Sequence, residues 1–135
     1  MSVKYVHHVC IQTENYEASL DFYTRVLGFE VVSETTNFHG REYNTWLKLD
    51  NFMIELQTPK EGDNFNKWSS LTSGPVHIAF MVDNVEQEYE KIKSLGYNDF
   101  KLKDGKVVYK VLGESLFKIK APEGTEIEMR DTEIS

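Results

Sequence analysis

The chain has 135 residues, 40% apolar and 27% charged, the size and balance of one folded unit with a real core. Its net charge of −7 excludes a binder of phosphate backbones, which needs clustered Lys and Arg, and no apolar run approaches the roughly 20 residues of a membrane span. With a single cysteine, Cys10, and no signal-peptide pattern at the N-terminus, a cytoplasmic protein that binds neither nucleic acid nor membrane is expected.

The β-rich run VKYVHHVCIQ, residues 3–12, reads as the first strand. Successive side chains on a strand point to opposite faces. His7 therefore goes with Val9 and Ile11 on the expected helix-packing face, and His8 with Cys10 and Gln12 on the other. A helix follows, with Tyr16, Leu20, Tyr23 and Leu27 along one side, Asn15 as its N-cap and Gly28 at its end. Three strands come next, FEVVSETT, EYNTWLKL and NFMIELQT. Residues 58–75 are polar, hold two of the three prolines and show no period, which marks a linker.

The same order then repeats. His77 opens a strand whose apolar face is Ile78, Phe80 and Val82. Asn84 caps a helix with Val85, Tyr89, Ile92 and Leu95 on one side, and Gly96 ends it. The strands DFKLKDGKVVYKV, SLFKIKA and TEIEMRD follow. The expected fold is α+β: two tandem βαβββ modules whose curved sheets pair around a metal cleft. Residues 1–135 form a single domain, with module one over about 1–57, the linker over about 58–75 and module two over about 76–131.

Each module pairs a His on its first strand with a Glu on its last. Glu55 stands between Ile54 and Leu56, and Glu128 between Ile127 and Met129, so each carboxylate faces away from its helix together with His8 or His77. Alone, a His in a strand or a Glu in "IEL" is an ordinary surface residue; its recurrence on the same face in both modules is not. Two carboxylates in one cleft repel, and a divalent cation removes that cost. Imidazole with carboxylate suits Ni²⁺, Zn²⁺, Co²⁺ or a similar ion better than Ca²⁺. The expected metal ligands are His8, Glu55, His77 and Glu128, with positions left open for substrate. Cys10 reads as a small core residue, and His7 and His39 have no counterpart in the repeat. Trp46 is a packing residue or a pocket wall.

The stretches HHVCIQTENYEASLDFYTRVLGFEVV, VHIAFMVDNVEQEYEKIKSLG and FKIKAPEGTEIEM resemble the vicinal oxygen chelate superfamily, the glyoxalase I, bleomycin resistance and dioxygenase group. The resemblance is greatest to its glyoxalase I-like metal enzymes. It implies a metal-dependent lyase or isomerase, related to lactoylglutathione lyase, that moves a proton between vicinal carbons through a metal-stabilised enediolate. It further implies Glu128 and Glu55 as the catalytic carboxylates, a small-molecule substrate and a homodimer. Gln12 and Pro59 stand where members that act on glutathione adducts carry Arg and Asn. Alternatives within the superfamily are a methylmalonyl-CoA epimerase-like enzyme, a small-molecule binding or resistance protein, an extradiol dioxygenase and a thiol transferase.

Overall fold

A computed structural model describes residues 2–134 and divides the chain into two units, one up to Lys67 and one from Trp68. In the first unit β1 (Val9–Gln12) leads into α1 (Tyr16–Asp21), which tightens into a π-helical turn over Phe22–Val26. β2 (Glu30–Phe38), β3 (Arg41–Leu49) and β4 (Phe52–Gln57) follow. The sheet order is β1-β4-β3-β2, with β1 parallel to β4 and the other neighbours antiparallel. The second unit repeats this with β5 (His77–Met81), α2 (Val85–Ser94), β6 (Tyr109–Val111), β7 (Glu114–Lys120) and β8 (Glu126–Arg130), in the order β5-β8-β7-β6. This is the α+β, twice-βαβββ architecture expected from the repeat.

The helix side of each sheet is apolar because alternation puts it there. Ile11, Leu47, Ile54 and Leu56 are buried in the first unit, with Phe22, Tyr23, Val26 and Phe29 from the helical segment and the residues after it. The rings of Phe22, Tyr23, Phe29 and Phe52 continue edge-to-face at 5.4–6.1 Å. In the second unit Tyr89 of α2 meets Phe100 and Phe117 at 4.8 and 6.1 Å, over buried Ile92, Ile119, Ile127 and Met129. Burying each such side chain contributes about 1.5–3 kcal/mol, so these two clusters hold the sheets to their helices.

Four local expectations change. The buried side of the first helical segment is Ser19, Phe22, Tyr23 and Val26, while Tyr16, Leu20 and Leu27 are only half-buried. Tyr16 is held at the margin by its hydroxyl, which donates to Glu34 and bonds with Thr45. Asn84 caps α2 through its side chain, which accepts from the Gln87 N–H at 3.0 Å, but Asn15 makes no such bond. The Thr13 hydroxyl takes that place, accepting from the Asn15 N–H at 2.9 Å and bonding the Ser19 hydroxyl at 2.8 Å. The sixth strand is also three residues long rather than thirteen. Phe100 bridges to Ile119, but the chain then doubles back at Asp104 and Gly105, both at positive φ, where Lys103 and Lys106 exchange backbone hydrogen bonds. Pairing with β7 resumes only at Tyr109. Lastly, β1 starts at Val9, so alternation does not reach His7 and its ring does not lie under the helix.

α2 ends in a Schellman turn: Tyr97 N–H returns to the Ile92 carbonyl and Gly96 N–H to that of Lys93, with Gly96 at φ +94. The segment between the modules is tied down within each unit. Phe65 N–H donates to Glu14 at 2.9 Å, and Trp68 lies so close to Gly124 that a Cβ there would come within 2.9 Å of the Trp68 Cβ.

Candidate metal centre

In the first unit the parallel register pairs Val9 with Ile54, Cys10 with Glu55 and Ile11 with Leu56. Burial of Ile11, Ile54 and Leu56 against the helix fixes Glu55 and Cys10 on the opposite face. His8, one residue ahead of β1, brings Nε2 to 3.6 Å from Oε1 of Glu55. Its other ring nitrogen, Nδ1, is 2.8 Å from Nδ1 of His7, so one imidazole orients the other. Trp46 is the cross-strand partner of Glu55 on β3, and its ring meets His8 edge-to-face at 4.7 Å.

The second unit repeats the construction. Ala79 pairs with Glu128 as Cys10 does with Glu55, between the buried Ile127 and Met129. His77, two residues before Ala79, brings Nε2 to 3.7 Å from Oε1 of Glu128. Here the cross-strand partner is Lys118 instead of Trp46, with Nζ 3.9 Å from Glu128 and 3.5 Å from the buried Glu126. Arg130 donates from Nε to Oε2 of Glu128 at 3.2 Å and from Nη1 to Glu114 at 3.0 Å. Oε1 of Glu128 faces His77, with Lys118 Nζ beside it at 3.9 Å.

The four expected ligands form two pairs, one in each unit. Among the described residues no three His, Cys, Asp or Glu side chains cluster as a metal site. Each pair suits a shared cation in kind and spacing. Two donors about 2.1 Å from one ion stand about 3.0 Å apart at a right angle and about 3.4 Å apart at a tetrahedral one. The observed 3.6 and 3.7 Å are slightly wider and too long for hydrogen bonds. Nitrogen with carboxylate oxygen is a donor set for a borderline divalent ion.

Cys10 is not a core residue. It is an exposed free thiol on the Glu55 face, donating to Oε1 of Gln57 at 3.1 Å. Desolvation, then the Glu55 charge, push its pKa up to about 11, so it stays protonated at neutral pH. His39 occupies the β2–β3 turn at φ 47 with its ring on Phe38 at 4.5 Å, remote in role from either pair. Lys118 and Arg130 had a signal in the sequence. Both share the parity of Glu128 on β7 and β8, and alternation alone puts them on its face.

The family model for the Glyoxalase/Bleomycin resistance protein/Dioxygenase superfamily matches residues 5–129. YwkD of Bacillus subtilis (strain 168), an uncharacterised protein, is 30% identical over 100 residues, which are 71% of this chain and 75% of that one. The crystal structure of a glyoxalase family protein from Enterococcus faecalis superposes with a TM-score of 0.76 at 26% identity, covering 97% of this chain and 100% of the other. The fold is shared too by the fosfomycin resistance protein FosX of Listeria monocytogenes, complexed with Mn(II) and sulfate, at a TM-score of 0.72 and 15% identity over 98% and 95% of the two chains.

Proposed function

The chain belongs to the Glyoxalase/Bleomycin resistance protein/Dioxygenase superfamily, and within it we propose a metal-dependent lyase or isomerase of the glyoxalase I type. The observation that supports this most is the register. Cys10 with Glu55 and Ala79 with Glu128 are equivalent pairs, and each brings a His Nε2 to the carboxylate at 3.6 or 3.7 Å. In this reading His8, Glu55, His77 and Glu128 jointly hold one divalent ion, Ni²⁺, Zn²⁺, Co²⁺ or a similar metal.

Such an ion, when bound, draws charge from two vicinal oxygens of a small-molecule substrate and acidifies the carbon beside them. The chain's own residues do the rest. His8 and His77 bind through Nε2. Glu128, with Oε2 held by Arg130, presents Oε1 as the principal proton carrier. Glu55 is the second carboxylate, and Trp46 beside it walls the site and keeps water from one side of His8. The superfamily's FosX holds Mn(II), which supports metal binding without fixing the ion here.

We extend the proposal to a homodimer working in the cytoplasm. The nine-residue edge strand β2 has its side chains outward, with Val31 and Val32 exposed, and is a natural surface for a second copy. The lone thiol fits a reducing compartment.

The test is deuterium uptake from solvent. Metal-loaded protein is incubated in D₂O with hemithioacetals of 2-oxoaldehydes made from several thiols, and separately with methylmalonyl-CoA. Uptake from the hemithioacetals, falling by about 10²–10⁴-fold in Glu128→Gln, is the expected result. Uptake from the CoA ester alone would move the protein to the epimerases. Equal uptake by wild type and Glu128→Gln would remove the carboxylate from the reaction, and none with any substrate would leave a binding protein.

A further inference from the structure

Leu112 is unfavourable in its place on two separate counts. Beyond the closing pair Val111 and Glu114, it opens the two-residue turn that joins β6 to β7. Leu112 stands at φ 52 and Gly113 at φ 81, the signs of a type I′ turn. A Cβ at positive φ crowds the neighbouring carbonyl, so such places go to glycine and to short polar residues. The other non-glycine residues at positive φ among those described are Asn37, His39, Asp50 and Asp104, and the equivalent turn of the first unit is His39–Gly40. Leu112 is the one aliphatic in the set. It is also 98% exposed, more than any other large apolar side chain among the described residues.

Neither count serves the fold of its own unit. A side chain this exposed buries nothing at home, and an asparagine would relax the backbone. A second surface that covers the turn accounts for both. The residues before it describe that surface. Val111 is 40% exposed, and Lys110 is exposed with no ion pair among the described residues. The tip therefore reads basic, apolar, apolar.

The complement lies in the first unit. β2 begins acidic, apolar, apolar, with Glu30, Val31 and Val32. The valines are 49% and 56% exposed, and Glu30 is exposed with no ion pair among the described residues. β2 is an edge strand, but its register with β3 shifts between Val31 and Ser33 and leaves Val32 out of the ladder. Such a bulge hinders a second strand from adding in regular register. A single protruding turn meets no such obstacle.

We propose that the β6–β7 turn of one copy docks on β2 of a second copy, seating Leu112 on Val31 and Val32 with Lys110 beside Glu30. Each chain carries both halves of the contact, so a two-fold axis makes it twice. The proposal rests on the homodimer reading above, whose contact it names, and does not depend on the metal.

Sedimentation equilibrium tests it. Wild type should dimerise in the micromolar range, and Leu112→Asn should raise the dissociation constant at least about a hundredfold, because two buried leucines are lost per dimer. The variant's melting temperature, taken at a dilution where both proteins are monomeric, should equal or exceed that of wild type, since asparagine suits positive φ. A damaged fold is thereby told apart from a lost contact. Charge exchange is the sharper arm. Lys110→Glu and Glu30→Lys should each weaken the dimer, because like charges then meet at both contacts. An equimolar mixture of these two variants should dimerise again, since both contacts of the mixed dimer join opposite charges. A wild-type dimer that Leu112→Asn leaves equally strong, or charge variants that stay monomeric when mixed, overturns this contact and leaves the homodimer standing. A wild type that sediments as a monomer throughout the micromolar range overturns both.

Discussion

Arg130 donates from Nε to Oε2 of Glu128 at 3.2 Å, while the other oxygen of that carboxylate faces Nε2 of His77 at 3.7 Å. The hydrogen bond to Glu128, ahead of the one to Glu114, raises the guanidinium pKa beyond its ordinary value, so Arg130 is charged at any working pH. Arg130→Met should therefore leave Glu128 unoriented. Solvent-exchange activity should fall about 10–100-fold, the usual loss when an orienting partner of a metal site is removed. Metal content, read by atomic absorption, should stay near wild type, because removing a cation does not weaken attraction for another. Loss of the metal with the activity would make Arg130 structural.

His7 and His8 are adjacent but unequal. Nδ1 of His7 meets the ring nitrogen of His8 that faces away from Glu55. His8→Ala removes a donor and should abolish tight metal binding, whereas His7→Ala removes only its orientation and should weaken the affinity about tenfold. Competition titrations with a chromophoric chelator separate the two outcomes.

The two helix starts make a stability prediction. Asn84→Ala deletes a side-chain cap and should cost about 1 kcal/mol in urea unfolding. Asn15→Ala deletes none and should cost less than half of that. Thr13→Val should instead cost about 1–2 kcal/mol, since it removes the hydroxyl that bonds Ser19 and accepts from the Asn15 N–H.

Tyr16 ties stability to alkaline pH. Burial, then its hydrogen bond to Glu34, raises the phenol pKa well above its ordinary value of 10.0. A pKa raised by folding gives stability that is complete below the unfolded value and lost as pH rises through the folded one. The wild-type melting temperature should thus fall more steeply above about pH 10 than that of Tyr16→Phe. At pH 7 wild type is the more stable, the variant losing about 1–2 kcal/mol with its hydroxyl bonds, and the gap narrows as the pH rises.

The sequence showed the fold and the two His–Glu faces because both depend on period-two alternation. Ile54 and Leu56 bury, so Glu55 turns away; Ile127 and Met129 repeat the statement for Glu128. What escaped depends on contacts that alternation does not carry. The first helix turned its Ser19–Phe22–Tyr23–Val26 side inward because the Tyr16 hydroxyl sought Glu34 and Thr45 at the margin. The long sixth strand broke at a local turn, where Asp104 and Gly105 both take positive φ. Arg41 is the furthest from legibility. Its strand parity matches buried Thr45 and Leu47, yet its guanidinium lies at the strand end and reaches Gln12.

The central claim is that the two His–Glu pairs serve one metal ion, and metal stoichiometry tests it most directly. Purified protein is dialysed against Ni²⁺ or Zn²⁺, desalted, and its metal measured per chain for wild type, His8→Ala, His77→Ala and the double variant, each checked by melting. The account predicts about one ion per chain in wild type and loss of most of it in either single variant, because each pair supplies only half of the donors. Full occupancy in the double variant, or loss in one single variant with none in the other, would contradict it.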